Sequence, residues 1–203
     1  LMTKSSVTNW NSSSAGQQKL RNALGVKGSE FNYSVVGYQN LDTITGKTNN
    51  QLGASLGQEM MHIGSDLSWA GGTLYSISVP GIARYAALGA RSVGKNSVVM
   101  TPNYLLPKNQ KVSEDEFKQK AAERYSILGT GFKDKPINLV IAMIPNGALG
   151  INGSIRWTVS AVADNNVKNP SRLIHVVNLY NHPELLHLVG DDFYNKLAEI
   201  VSA

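Results

Sequence analysis

Hydrophobic positions follow a helical rhythm through much of the first half of the chain and again at its end, with short strand-like runs between. Residues 1–12 are polar and aperiodic and read as a loose N-terminal arm. Ser14 with Gln17 three residues later forms a capping-box pattern. It opens a short helix with Leu20, Ala23 and Leu24 on one face and Gly25 as its stop. The run FNYSVVGY, Phe31 to Tyr38, has aromatic and β-branched content and reads as a strand, with Gly37 as a candidate bulge. Leu52, Leu56, Met60 and Ile63 then recur at helical spacing behind Asn49 or Asn50 as a cap. Gly53 and Gly57 lie beside that stripe and would let another element come close, and Gly64 with a Ser-Asp turn is the expected end. After Gly71-Gly72, TLYSISV reads as a strand, and Pro80-Gly81 starts a helix through about Arg91. Val98 to Leu106, broken by Pro102, reads as an edge strand or extended segment. Ser113 and Glu116 cap a helix carrying Phe117, Ala121, Tyr125 and Leu128.

Ile137 to Ile144, INLVIAMI, is uncharged and nearly all apolar, the pattern of a strand buried on both faces. Ser154 to Val162 alternates, with Ile155, Trp157, Val159 and Ala161 facing one way and Arg156, Thr158 and Ser160 the other, which reads as a half-buried strand. Leu173 to Tyr180 is a third run. Joined by short loops, the three predict an antiparallel meander. A short helix from Pro183 and a last helix capped by Asp191 or Asp192, with Phe193, Leu197, Ile200 and Val201 inward, close the chain. The expectation is an α+β fold in a single domain over residues 1–203. Its sheet would be mixed or mainly antiparallel with a C-terminal three-strand meander, packed by about five to six helices.

Composition changes this picture little. A chain of 203 residues, 42% apolar and 16% charged, is long enough to bury a core without staples. It contains no cysteine, which excludes disulfides, thiolate metal ligands and a cysteine nucleophile. No apolar run is long enough for a transmembrane helix. Asn11, Asn32 and Asn152 sit in glycosylation patterns of a kind that arise by chance in an Asn- and Ser-rich chain. The opening Leu-Met leaves room for an upstream segment.

Charge is more informative. Between Arg84 and Lys135, ten basic side chains face five acidic ones, which accounts for the whole net charge of +5. Arg84, Arg91, Lys95, Lys108 and Lys111, interleaved with Tyr104, are candidates for contacting phosphates and stacking bases. The leading expectation is therefore a basic binding module for an anionic partner, nucleic acid first, in an assembly or alone. It requires no cofactor.

The rival is an exported or injected effector-type enzyme, a hydrolase or transferase with a His-centred site on the C-terminal sheet. Its candidate catalytic residues are His175 as general base, Ser160, with Ser76 and Ser78 as alternatives, as nucleophile, and Asp191 nearby, against the alternative of a hydrogen-bonded core histidine. A third pattern is the repeated Glu-x-x-His of Glu59 and His62 and of Glu184 and His187. Di-metal carboxylate bundles use this spacing twice. The strand-rich centre of the chain instead favours two Glu/His pairs on helix surfaces. The P-loop, H-E-x-x-H, G-x-S-x-G and dinucleotide patterns are absent.

Overall fold

The computed structural model describes residues 14–37, 49–76, 81–94, 97–99, 137–144 and 153–203, with the side chains of 49–55, 97–99, 153–154 and 156–157 left aside. In chain order the elements are α1 (Ala15–Ala23), β1 (Phe31–Gly37), α2 (Asn49–Trp69), β2 (Gly72–Ser76), α3 (Ile82–Ser92) and β3 (Ser97–Val99). They continue with β4 (Leu139–Met143), α4 (Gly153–Lys168), β5 (His175–Asn178), a 3-10 turn (Pro183–Leu186) and α5 (Gly190–Ser202). The strands form one sheet in the order β3-β2-β1-β4-β5.

Every pairing in that sheet is parallel. Tyr33 stands opposite Leu139 and Gly37 opposite Met143 across β1 and β4, Phe31 opposite Gly72 across β1 and β2, and Leu139 opposite His175 across β4 and β5. The architecture is α/β, which overturns the expected antiparallel sheet and its C-terminal meander. The error traces to residues 154–162, which belong to α4 rather than to a strand. Among the described positions of α4, those buried are Ile155, Thr158, Val162 and Asn165, a helical stripe in which a threonine and an asparagine take core places. Counting only apolar residues hides that stripe and leaves the period-2 alternation in view. A parallel pair also requires a crossover between its strands, and α4 is the crossover from β4 to β5.

The central strands behave as the uncharged run around Ile137 predicts, since all five residues of β4 are buried. The crossovers β1-α2-β2 and β2-α3-β3 progress toward one edge of the sheet and β4-α4-β5 toward the other. Right-handed connections therefore place α2 and α3 on one face and α4 on the opposite face. Tyr33 of β1 reaches the first of these faces, where its hydroxyl donates to the Gly64 carbonyl at 3.2 Å.

Helices α2 and α3 touch along a glycine seam. A Cβ on Gly89 would lie 1.8 Å from the Met61 carbonyl oxygen, and one on Gly64 would lie 2.1 Å from that of Ala86. Gly57 makes room for the Tyr85 ring, a use close to the one anticipated for it. The expected stop at Gly64 does not occur. The helix runs on to Trp69 and places Asp66 in the interior, 6% exposed.

The capping box at Ser14 is present in both directions. Gln17 N–H donates to Ser14 Oγ at 3.0 Å, and Ser14 N–H donates to Gln17 Oε1 at 3.4 Å. Helix α1 packs against α5 and the end of α2. Tyr194 donates its hydroxyl proton to the Asp66 carbonyl at 2.6 Å, and Arg21 Nη1 donates to the Ala70 carbonyl at 2.7 Å. The predicted cap of α5 is different from the one found. Val189 is the N-cap without a side-chain bond, and the Gly190 N–H donates at 3.0 Å to Asp66 Oδ2 from α2. Among the described residues no helix is long and apolar enough to cross a membrane.

Candidate ligand site at the carboxyl edge of the sheet

In an open parallel sheet, ligands bind outside the carboxyl ends of the strands, where successive connections diverge to opposite faces. Here that point lies between β1 and β4, at Gly37 and Met143. A helix that leaves a strand and returns to the start of a parallel neighbour begins at the carboxyl edge, so α2, α3 and α4 all present their N-termini there.

Gly37 brings one of them close. A Cβ at this position would lie 2.4 Å from Ile82 Cδ1, so glycine leaves the room that the Ile82 side chain fills where the first turn of α3 meets the end of β1. Gly37 is thus a close-approach residue rather than a bulge, and its pairing with Met143 is intact. The N-cap of α3 is Gly81, with φ +116°, a backbone conformation that favours glycine. It supplies no side-chain cap, which leaves the first N–H groups of the helix without that partner.

None of the three crossover helices carries an acidic residue in its first turn. Helix α5 carries two, Asp191 and Asp192, and its Gly190 N–H is held by Asp66 near the C-terminus of α2, toward the opposite edge. The partial positive charges of the helix N-termini at the carboxyl edge are therefore uncompensated by first-turn carboxylates. Arg84 adds an exposed cation in the first turn of α3. At the end of β5, Asn178 brackets Ile144: its Oδ1 accepts from the Ile144 N–H and its Nδ2 donates to the Ile144 carbonyl, both at 2.9 Å.

The expected catalytic trio does not meet at this edge. His175 is the first residue of β5, at the amino end of the strand, and burial pushes its imidazole below the ordinary histidine range. Ser160 is exposed on α4. Asp191, in the first turn of α5, lies against Gly16 of α1, with its Oδ1 2.8 Å from where a Cβ would stand. Among the described residues no hydrogen bond or ion pair joins the three. Of the basic candidates, Arg84 and Arg91 are exposed on α3. Lys95, Tyr104, Lys108 and Lys111 lie outside the described residues, as does the helix expected after Ser113.

The Glu/His repeat does not pair at its own i, i+3 spacing. His187 Nδ1 lies 3.2 Å from Glu59 Oε1, which links the end of the 3-10 turn to α2, while Glu184 faces His182 at 3.5 Å. His62 Nε2 is 3.2 Å from the Leu186 carbonyl and must be the donor there, because a carbonyl only accepts. Its Nδ1 stands 3.6 Å from Asp66 Oδ2, close enough for an ion pair but too far for a hydrogen bond. Among the described residues no group of three or more His, Asp or Glu side chains could hold a metal ion. Asn32, one of the glycosylation patterns, sits inside the central strand β1.

Neither Gly37 nor Asn178 stands out in the sequence for the role it takes. Gly37 is visible only as an irregularity in a β-branched run, and Asn178 as a polar residue within an apolar one. The chain matches no protein-family model, no curated protein and no solved structure.

Proposed function

We propose that this chain binds an anionic, phosphate-bearing small molecule at the carboxyl edge of its parallel sheet, above Gly37 and beside the N-terminus of α3. The observation that carries the proposal is the N-terminus of α3, which has no acidic first turn and sits against Gly37 where β1 and β4 diverge, with α2 and α4 also starting from that edge without first-turn carboxylates. Each such N-terminus favours a nearby anion by roughly 0.3–1 kcal/mol when exposed, and backbone N–H groups supply the hydrogen bonds. The support is the physics of the edge together with the placement of ligands in folds of this class.

Titration of the ¹⁵N-labelled chain with inorganic pyrophosphate tests it. The expected result is a saturable shift of the Gly81, Ile82 and Ala83 amide signals that weakens as sodium chloride is added. Absence of any shift at those amides at low ionic strength would overturn the proposal.

Single-stranded nucleic acid is the second reading, favoured by Arg84 and Arg91, exposed two turns apart on one helix. It predicts that an oligothymidine binds with strong salt dependence and that replacing both arginines by alanine weakens it. Pyrophosphate binding that survives the double substitution, with no oligothymidine binding, favours the small-molecule site.

A further inference from the structure

We infer that Asn178 is a positioning residue for the anion site, holding Ile144 in place at the point where the chain leaves β4 for α4. The inference rests on the anionic reading above. The β4–β5 ladder ends at the pair Ala142 and Asn178, with the Leu179 N–H donating to the Ala142 carbonyl at 2.7 Å as its last backbone bond. Beyond that point β5 turns away. The Asn178 backbone carbonyl is taken by the N–H groups of Asn181 and His182 at 3.0 and 3.2 Å, and its Oδ1 also accepts from the Tyr180 N–H at 3.2 Å. Ile144, 8% exposed, would then have no strand partner on this side for either of its polar backbone groups. The Asn178 side chain supplies both. A primary amide carries the same donor and acceptor as a peptide group, and here it serves as one more rung of the sheet.

The placement gives that rung its consequence. Ile144 directly follows β4, one of the two strands that flank the divergence point, and α4 starts at Gly153 with its N-terminus at the same edge. Fixing Ile144 therefore fixes the exit of β4 beside the proposed ligand. It also commits the Ile144 N–H and carbonyl to Asn178, so the anion is directed over β1 and α3 rather than over β5.

The test uses the full chain and two measurements. Amide hydrogen exchange at Ile144 is expected to be slow in the wild type and much faster in Asn178→Ala. Pyrophosphate affinity, read from the Gly81–Ala83 amide shifts, is expected to weaken about tenfold, the size of effect of one displaced hydrogen-bonded contact. Leu197→Ala, a core truncation in α5, is the control for stability alone: while folded, it should bind pyrophosphate as the wild type does. Should Asn178→Ala fail to fold, Asn178→Ser replaces it. Its shorter, uncharged side chain cannot reach both polar groups of Ile144, so a loss of affinity of similar size is expected. Normal affinity in a folded Asn178 variant, or unchanged exchange at Ile144, overturns the assignment while leaving the anion site standing. A wild type that binds no pyrophosphate overturns the anion site itself, and Asn178 then has no site to serve.

Discussion

His175 shows how burial alone can set the behaviour of a titrating residue. Its ring is partly buried at the start of β5, and desolvation lowers its pKa. A histidine of this kind differs from a paired one in the sign of its pH effect. The unfolded chain, with a value near 6.5, binds the proton more readily than the folded chain. The stability contributed by neutral His175 is therefore complete above about pH 6.5 and is lost as the pH falls through that value toward the lower folded pKa. His175→Gln should flatten this part of the profile relative to the wild type. Urea midpoints measured from pH 7.5 down to 5.0 for both proteins check it, and parallel curves would refute it. In the sequence His175 stands among apolar residues, a pattern that fits a core role as well as a catalytic one. That pattern does not supply the end of the strand on which the ring sits. In a parallel sheet that end matters most, because position at the amino edge separates His175 from the divergence point at Gly37.

Among the elements, the α2–α3 pair shows the strongest dependence on single atoms. Gly89 lies in the middle of α3, where alanine would ordinarily improve helix stability by about 0.8–1.0 kcal/mol. The new methyl would however meet the Met61 carbonyl oxygen at 1.8 Å and its carbon at 2.7 Å, both backbone atoms that no rotamer change can move. Overpacking of this kind costs about 1–3 kcal/mol, and backbone as the obstacle puts this site at the upper end, so the clash outweighs the propensity gain. Gly89→Ala is expected to lower stability by roughly 1–2 kcal/mol net in urea unfolding, whereas alanine at the exposed neighbour Leu88 should stay within about 0.5 kcal/mol. A Gly89→Ala protein as stable as the wild type would show that the helices can separate at no cost. The sequence offered part of this seam, since Gly57 does face a ring of α3. Gly64 was misread as a helix stop because a glycine before Ser65 and Asp66 looks like punctuation when the helix packed against it is unknown. The same limit applies to α4: its stripe is completed by Thr158 and Asn165, and only the structure shows that Asn165 is buried, with its Nδ2 bonded to the Arg172 carbonyl at 3.0 Å.

At the level of the whole molecule, local patterns located most of the described elements and missed the way they connect. Strand β1, the continuous apolar run at β4, β5, the capping box of α1 and the starts of α2, α3 and α5 all lie close to where periodicity places them. One helix taken for a strand was enough to turn parallel crossovers into an antiparallel meander, because strand direction is a property of the connection rather than of the strand. The observed order has a consequence for local stability that a meander would not share. In β3-β2-β1-β4-β5, strands β1 and β4 are each flanked on both sides, and they carry buried residues such as Tyr33, Leu139 and Ile141. Strand β5 has one described neighbour, and its Val176 is 42% exposed. Amides in a cooperative core exchange only by global unfolding, while edge strands open with less free energy. Native-state hydrogen exchange should therefore rank β1 and β4 slowest, with Val35, Val36, Val140 and Ile141 at the global limit and Val176 and Val177 of β5 opening earlier. A meander built from residues 137–144, 154–162 and 173–180 would instead put residues 154–162 in its middle strand. In that case Thr158 and Val159 would show strand-type bonding across to residues 137–144 and protection equal to that of Ile141. Exchange at α4 that is separable from β4 in denaturant, with β5 opening ahead of both, is the pattern expected of the parallel sheet. Identical protection across all three segments would contradict it.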